Sequence, residues 1–179
     1  MLTIEQEQEI VRQILSGDKE RYALIVKEYQ GTVANLCYKL VGNKLDAEEV
    51  TQTVFIELYT ALPRFRFTSR LSTFIYRITV NVISKMLKHD KRFVSYEATL
   101  ENTNPDIELS HEERIIKEEQ TRRLREAIGR LKHEQRTALV LYTYNDFSYN
   151  DIAEVMQVTL AKVESLIFRA KKNLKKMLT

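Results

Sequence analysis

The side chains best suited to bind another molecule lie near the C-terminus, between Tyr149 and Lys172. Apolar residues recur there at helical spacing, with a small Ala153 after the first: Ile152, Met156, Val158, Val163 and Leu166. This spacing is typical of a helix-turn-helix, in which a short helix packs against a second helix that enters the major groove of DNA. The stretch therefore predicts a DNA-binding module.

The second of these helices is predicted to have one cationic face. Its apolar residues form a single stripe, and polar and basic residues fall nearly opposite: Leu160, Val163, Ile167, Ala170, Leu174 and Met177 against Lys162, Ser165, Arg169, Lys172 and Lys176. From 159 to 179 there are six Lys and Arg residues and one acid, a net charge of +5. Lysines in the last turn alone would only offset the helix dipole. Because the positive face begins in the first turn, it favours contacts with DNA phosphates.

A second candidate surface, around residues 64–92, combines aromatic rings with cations. The loop Arg64-Phe-Arg-Phe-Thr-Ser-Arg70 alternates the two, and one stripe of the following helix holds Phe74, Arg77, Asn81, Lys85, Lys88 and Arg92. Unpaired bases stack on rings while cations follow the backbone, so this pattern predicts contact with single-stranded nucleic acid. The alternative is that Phe65 and Phe67 are anchors buried under the fold, which would suit one of the two.

A third candidate surface lies on the helix before Pro63. Its core face is predicted to hold Ala47, Val50, Val54, Leu58 and Ala61, yet Ile56 and Tyr59 lie on the opposite side beside Glu49 and Gln52. Apolar side chains on a face that should be solvated indicate a protein contact. Packing of this face against the first helix is the alternative.

Composition predicts a helical protein of 179 residues with net charge +3 and only 4 Gly and 2 Pro. Predicted helix boundaries are a capping box at Thr3 and Gln6, a stop at Ser16-Gly17, caps at Asp18, Asp46 and Ser110, a stop at Gly42, and ends at Pro63 and near Arg92. The stretch Phe93 to Leu109 lacks a period and is predicted to be a linker. Between Glu97 and Gln120 there are eight acidic and two basic residues, so this region is acidic.

The cysteine, the histidines and the lengths of the apolar runs indicate which classes of protein this chain can belong to. Cys37 is the only cysteine and has apolar neighbours, which predicts a core position and a reducing compartment. No run of about 18 apolar residues exists, so no membrane insertion is expected, and the expected location is the cytoplasm. His89, His111 and His133 have no metal-ligand spacing, and no Gly-rich phosphate loop occurs. The chain is therefore expected not to be an enzyme, and to have no metal and no cofactor.

These segments resemble a known family. Ala47-Glu-Glu-Val-Thr-Gln-Thr-Val-Phe55 resembles region 2.2 of bacterial sigma factors of the extracytoplasmic-function (ECF) type, the small sigma-70 group that has only regions 2 and 4. Ser72 to Asn81 resembles the following regions 2.3 and 2.4. Leu131 to Leu174, with Arg136, resembles region 4. The resemblance runs from about Ser16 to Leu178. It implies an all-α fold of two small helical domains: a region 2 domain over 1–92, an acidic linker over 93–110, and a region 4 helix-turn-helix domain over 111–179.

The resemblance also implies roles for the three surfaces. Such proteins bind core RNA polymerase at the β′ clamp helices and the β flap, direct it to a promoter class, and help to open the −10 element; an anti-sigma factor is a further expected partner. Residues matching the polymerase-binding motif are Glu48, Glu49, Gln52 and Ile56. Those matching the −10 DNA-binding segment are Phe65, Arg66, Phe67, Arg70, Phe74, Arg77, Asn81, Lys85 and Lys88. Those matching the −35 DNA-binding helix are Thr159, Ala161, Lys162, Ser165, Phe168, Arg169 and Lys172.

Several positions depart from the family pattern. Tryptophan is common where Phe74 stands, and glycine is common at the places of Gln157 and Ala161. A left-handed Gln157 would carry strain of roughly 1–2 kcal/mol that glycine avoids. Glu164 stands where a basic residue is frequent in the family. The −35 sequence that this chain prefers therefore does not follow from its relatives. An ordinary helix-turn-helix regulator, which would bind duplex DNA tightly without polymerase, is the alternative function.

Overall fold

The computed structural model describes residues 2–89, 111–144 and 147–179, and within these ranges the chain is helical with no strand. The helices are α1 (Ile4–Leu15), α2 (Tyr22–Val41), α3 (Lys44–Ala61), α4 (Leu71–His89), α5 (His111–Gly129), α6 (His133–Tyr144), α7 (Tyr149–Met156) and α8 (Leu160–Leu178). Short 3₁₀ turns occupy Lys19–Arg21 and Leu62–Arg64. We call residues 2–89 the front domain and residues 111–179 the rear domain. The predicted linker, the cap at Ser110 and the helix end near Arg92 lie outside the described residues.

Local capping determines where the front-domain helices begin and end. The capping box at Thr3 is confirmed, because its Oγ1 accepts a hydrogen bond from the Gln6 backbone N–H at 3.2 Å and its own N–H donates to Gln6 Oε1 at 2.9 Å. Gly42 follows α2 in the left-handed conformation, with φ +98°, so the predicted stop is confirmed. Glycine adopts this conformation without a steric penalty, which is why it ends the helix here.

Two predicted caps of the front domain are wrong. The third helix begins two residues before Asp46, since Asn43 is extended and its side chain accepts a hydrogen bond from the Asp46 backbone N–H at 2.8 Å. Asparagine is as good an N-cap as aspartate, and the earlier residue takes the position. Asp18 precedes a 3₁₀ turn without capping it through its side chain, and α2 begins only at Tyr22.

The rear domain contains the predicted helix-turn-helix. Ser148 caps α7, and a capping box with Asp151 closes its first turn. Gln157 ends α7 in the left-handed conformation, at φ 55° and ψ 46°, and the Thr159 side chain caps α8 by accepting from the Lys162 N–H at 3.3 Å. Ala153 is half-buried at this crossing. The two helices and the turn between them are therefore built from local signals that the sequence displays.

The buried stripe of α8 is shorter than predicted. Val163, Ile167 and Ala170 are buried, but Leu160 is 42% exposed and Met177 is 37% exposed. Helix α8 packs on α5, α6 and α7, and these contacts leave the side chains of Leu160 and Met177 partly in solvent. A regular period predicts which face is buried and not how far along the helix the partners extend.

The front and rear domains pack directly against each other and share one hydrophobic core. Helix α4 contacts α7, and α2 contacts α6. The Tyr76 ring meets the Phe147 ring edge-on, with centroids 4.9 Å apart, and Ser84 Oγ lies 2.9 Å from His133 Nε2. This contact buries a second face of α4, including Tyr76 and Val80, beside the face that holds the buried Leu71, Ile75 and Val82. In the described parts of the chain, no helix is long and apolar enough to cross a membrane.

Candidate nucleic-acid interfaces and docking face

The outer side of α8 is the more open of the two nucleic-acid surfaces. Because Val163, Ile167 and Ala170 face the rear-domain core, the opposite side of the helix is directed to solvent. Ser165 is half-buried, and the other residues predicted to bind the −35 element are exposed: Thr159, Ala161, Lys162, Phe168, Arg169 and Lys172. Phe168 is 67% exposed, which is unusual for a large apolar ring and leaves it free to touch a partner.

Two contacts at the edge of α8 were missed by sequence reasoning. Glu134, in the first turn of α6, pairs with Lys162: its Oε1 lies 2.9 Å from Lys162 Nζ. Lys171 Nζ lies 4.9 Å from the centroid of the Tyr142 ring on α6. Both contacts join residues far apart in sequence, so no periodicity marks them. An acid beside a cation of the proposed −35 surface competes with phosphate for that cation.

The aromatic residues of the second surface form a row rather than an open patch. Phe67 and Phe65 have ring centroids 4.8 Å apart, and Phe65 and Phe74 have centroids 5.1 Å apart. A guanidinium lies at each end, with the Arg12 Cζ 5.3 Å from the Phe67 centroid and the Arg77 Cζ 5.2 Å from the Phe74 centroid. Rings at these separations attract one another, and cations are attracted to ring faces. We call these five side chains the aromatic row.

Burial divides the aromatic row. Phe65 is 7% exposed and Phe74 is 6% exposed, so both are core residues, whereas Phe67 is only partly buried. The burial of Phe65 agrees with the alternative in which one of the two loop phenylalanines is an anchor buried under the fold. Phe67 adopts a left-handed backbone conformation with φ 58°, uncommon for a residue with a large side chain. Of the three rings, Phe67 alone is not deeply buried.

The cations and the amide of this surface remain accessible along one side of α4 and its preceding loop. Arg66, Arg70, Asn81 and Lys85 are exposed, and Arg77 is half-buried. The side chain of Lys88 lies outside the described residues. The stripe is adjacent to the face of α4 that the rear domain covers, so domain contact leaves it open. Among the predicted −10 residues, the structure thus brings Phe65, Phe67, Phe74 and Arg77 into contact.

The predicted docking face of α3 is solvent-exposed as expected from its sequence pattern. Ile56 is 67% exposed and Tyr59 is 37% exposed, while Glu48, Glu49 and Gln52 are also exposed. The core side of the helix is buried as predicted at Ala47, Val50, Val54 and Leu58. The outer edge of Tyr59 is partly engaged by Tyr22, whose ring centroid is 5.0 Å away. Ile56 is therefore the main apolar contact that this face can offer.

The part of the chain that the structure describes shows no metal site, and Cys37 is buried within it. Among the described residues, no group of three or more His, Cys, Asp or Glu residues is placed to hold a metal ion. Burial raises the pKa of the Cys37 thiol to about 11, so it is protonated and shielded at neutral pH. The prediction that Cys37 is a core residue is confirmed.

Two protein-family models match this chain, one in the front domain and one in the rear domain. Residues 25–93 match the family model described as Sigma-70 region 2, and residues 121–174 match the model described as Sigma-70, region 4. The chain therefore belongs to the sigma-70 family, in its ECF group, and is a transcription initiation factor rather than an enzyme.

Particular relatives support this assignment over nearly the whole chain. The chain is 34% identical to the RNA polymerase sigma-H factor of Pseudomonas aeruginosa over 187 residues, covering 99% of this chain and 96% of that protein. It is 32% identical to the ECF RNA polymerase sigma-E factor of Haemophilus influenzae, covering 92% and 91%. In fold, it is similar to the sigma factor RpoE of Bartonella quintana, solved in complex with the anti-sigma factor NepR, with a TM-score of 0.68, 17% identity and coverage of 88% and 96%.

Proposed function

We propose that this chain binds core RNA polymerase through α3, directs it to one class of promoter, and opens the −10 element through the loop 65–70 and α4. The main support is the presence, on one chain, of two nucleic-acid surfaces of different construction beside an exposed apolar docking face. Helix α8 offers cations and an exposed Phe168 to a closed duplex, while Phe67 and the cations beside it suit unpaired bases. Since the bacterial chromosome and its polymerase are in the cytoplasm, the protein acts there.

Magnitudes indicate that the polymerase supplies most of the opening. Each base-pair step costs about 1.4 kcal/mol to separate. Stacking on an aromatic ring returns about 1–3 kcal/mol per captured base. With Phe65 and Phe74 buried, Phe67 is the main ring available, so the protein alone offsets roughly one or two steps. We therefore expect the isolated chain to bind promoters weakly.

The proposed function requires the front and rear domains to separate. A −35 and a −10 element lie about 25 base pairs apart, or about 85 Å along a B-form duplex. A compact chain of this length has a radius of gyration of about 16 Å, too small to touch both. Residues 90–110 can span at most about 70 Å when extended, enough to let the two domains move apart. The contact between α4 and α7 is therefore absent when both elements are bound.

Domain separation can be measured with one fluorescent label on each domain. Cysteines introduced at the exposed Thr32 and Asn150 would be labelled selectively, because Cys37 is buried and its thiol has a pKa of about 11. We expect efficient energy transfer in the free protein and its loss in the promoter complex. Transfer that stays unchanged in an initiating complex would contradict separation.

Run-off transcription with purified core polymerase tests initiation directly. Over a library of genomic fragments, adding the chain should start transcripts at a discrete set of sites. Asn81→Ala should lower initiation by about tenfold, because it removes an exposed amide from the −10 surface. Asn35→Ala, the same change at an exposed site on α2, should have no such effect. Tight duplex binding without any start sites would instead favour the ordinary helix-turn-helix regulator.

Docking on polymerase is tested at Ile56. Changing Ile56→Asp should reduce capture of core polymerase at least tenfold, since a charge would replace the most exposed apolar side chain of the docking face. Leu24→Asp makes the same kind of change at a leucine of α2 that is 39% exposed and should leave capture intact. Equal losses in the two variants would remove the support for α3 as the docking helix.

A further inference from the structure

The open end of the aromatic row is formed by α1, a helix outside both matched family regions. Region 2 is matched only from residue 25, whereas Arg12 lies in α1. Its guanidinium carbon is 5.3 Å from the centroid of Phe67, the one ring of the row that is not deeply buried. The N-terminal helix therefore places a planar cation beside the ring face that a base could reach.

Helix α1 is held firmly in this position. Ile10, Val11 and Ile14 are buried in the shared core. Glu7 is 8% exposed and accepts a hydrogen bond from the Tyr29 hydroxyl on α2. Burial raises the pKa of Glu7, while the hydrogen bond from Tyr29 and the positive charge of Arg70 oppose that rise. The hydrogen bond from Tyr29 thus ties α1 to α2, and α1 also contacts α4 and the 3₁₀ turn Leu62–Arg64.

The Arg12 side chain itself is only loosely restrained. Its Nη1 is 3.8 Å from Glu9 Oε2, its Nη2 is 3.4 Å from Gln8 Oε1, and the side chain is 58% exposed. A base between a ring and a guanidinium needs about 7 Å, two van der Waals contacts in succession. Arg12 would have to move outward by roughly 2 Å, which a rotamer change in an exposed side chain allows.

We propose that Arg12 is the outer wall of the pocket that holds one unpaired base against Phe67. The base stacks on the Phe67 ring with one face and on the Arg12 guanidinium with the other, as unpaired bases do between aromatic and arginine planes. The inference rests on the proposed function, because it concerns the base that the −10 surface captures. It adds to that surface a residue from α1, to which the family resemblance assigns no role.

The test uses holoenzyme and a promoter recovered by run-off transcription. Forked DNA is prepared with normal bases or with a single abasic site at each non-template position of the −10 region in turn. One position should matter strongly for the wild-type holoenzyme, and there Arg12→Ala should weaken binding about five- to tenfold on normal DNA. On DNA that is abasic at that position, Arg12→Ala and wild type should bind equally, since the base that Arg12 touches is gone.

Two further variants separate stacking from charge and from folding. Arg12→Lys keeps the charge but loses the plane, so it should bind nearly as poorly as Arg12→Ala. Arg21→Ala is the matched control: Arg21 is 48% exposed and lies 3.4 Å from Asp18, three residues earlier, as Arg12 lies near Glu9. It should bind like wild type on every DNA. Thermal unfolding of each variant checks that the fold is kept.

Three results would overturn the inference. Arg12→Ala could bind like wild type on normal DNA. The Arg12→Ala variant could lose as much affinity for abasic DNA as for normal DNA, which would mean that Arg12 contacts a phosphate or stabilises the fold. Arg12→Lys could restore full binding, which would make charge sufficient. If the wild-type holoenzyme initiates but is insensitive to every abasic site, base capture itself fails, and that outcome is distinct because it is seen without any variant.

Discussion

The two candidate nucleic-acid surfaces of this molecule are constructed in opposite ways. In the rear domain, α8 buries a narrow apolar stripe and presents Lys162, Phe168 and Arg169 to solvent. In the front domain, Phe65 and Phe74 are in the core, and cations from α1 and α4 lie at the ends of the aromatic row. The first surface is ready to meet a rigid duplex. The second has few exposed rings and has to rearrange around a base.

This difference is the one that the proposed ligands of the two surfaces require. Duplex DNA offers a regular array of phosphates, and long exposed cations neutralise it without any change in the protein. An unpaired base is a flat apolar surface, and a protein that kept several rings exposed for it would expose an apolar patch to water at all other times. Stacking the rings on one another avoids that exposure. The front surface is therefore expected to depend on its packing and the rear surface on its charge.

The largest expected effect compares two phenylalanines. Phe65→Ala should destabilise the protein by about 3–5 kcal/mol, because it leaves a cavity in the core. Phe168→Ala should change stability by no more than about 0.5 kcal/mol, because that ring is 67% exposed. Denaturant unfolding of both variants at one pH measures the difference. Similar losses would mean that the two surfaces are not built differently.

The next effect concerns charge. Replacing Arg169 and Lys172 by alanine should weaken the salt dependence of duplex binding. The slope of log affinity against log salt should become shallower by about 0.9 for each phosphate that is no longer neutralised. The slope of log affinity against log salt, measured with the isolated chain at low ionic strength, gives this value directly. Lys85→Ala, an exposed lysine of the front surface, serves as the control and should leave the duplex slope unchanged. A reduced slope for Lys85→Ala would place duplex contacts on both domains.

A smaller effect is expected at the turn before α8. Gln157 is left-handed with φ 55°, so Gln157→Gly should relieve strain and, after the added freedom of the unfolded chain, stabilise by up to about 1 kcal/mol. Gln30→Gly makes the same change inside α2 and should destabilise by about 1 kcal/mol. Opposite shifts in melting temperature are therefore expected. Destabilisation in both would show that the Gln157 side chain contributes more than its strain costs.

The smallest effect concerns the acid beside the recognition helix. Glu134→Gln should strengthen duplex binding by a few fold, because Lys162 no longer has a competing carboxylate at 2.9 Å. Stability should change little, since exposed ion pairs contribute about 0–1 kcal/mol. The gain should disappear when Lys162 is already alanine, which a double-mutant cycle of binding titrations would reveal. A gain that persists without Lys162 would assign the effect to overall charge.

Local features of this fold were well predicted from sequence. The capping box at Thr3 and the stop at Gly42 depend on a few neighbouring residues, and the structure confirms both. The exposed side of α3 was also predicted, because Ile56 breaks the helical period of its own segment. Where two good caps compete, as at Asn43 and Asp46, local chemistry alone did not decide, and the prediction failed.

Contacts between distant segments were not predicted. The second buried face of α4 was missed because Tyr76 and Val80 are covered by the rear domain, which follows more than 20 residues later. The placement of Arg12 over Phe67 joins residues 55 positions apart and has no periodic signature. In the aromatic row, burial of one of the two loop rings was an open alternative, whereas the burial of Phe74 was not expected. The residue types indicated contact with nucleic acid, but only the packing shows which aromatic rings are buried.

The shared core of the two domains has a consequence for how tightly the chain can engage a promoter. A protein that must open before it engages a promoter has its apparent affinity reduced by the fraction that is open. A change of about 1.4 kcal/mol in the contact between Tyr76 and Phe147 would alter that fraction tenfold. Substitutions there would adjust the apparent affinity of the chain for its promoters, with no change to any residue that touches DNA.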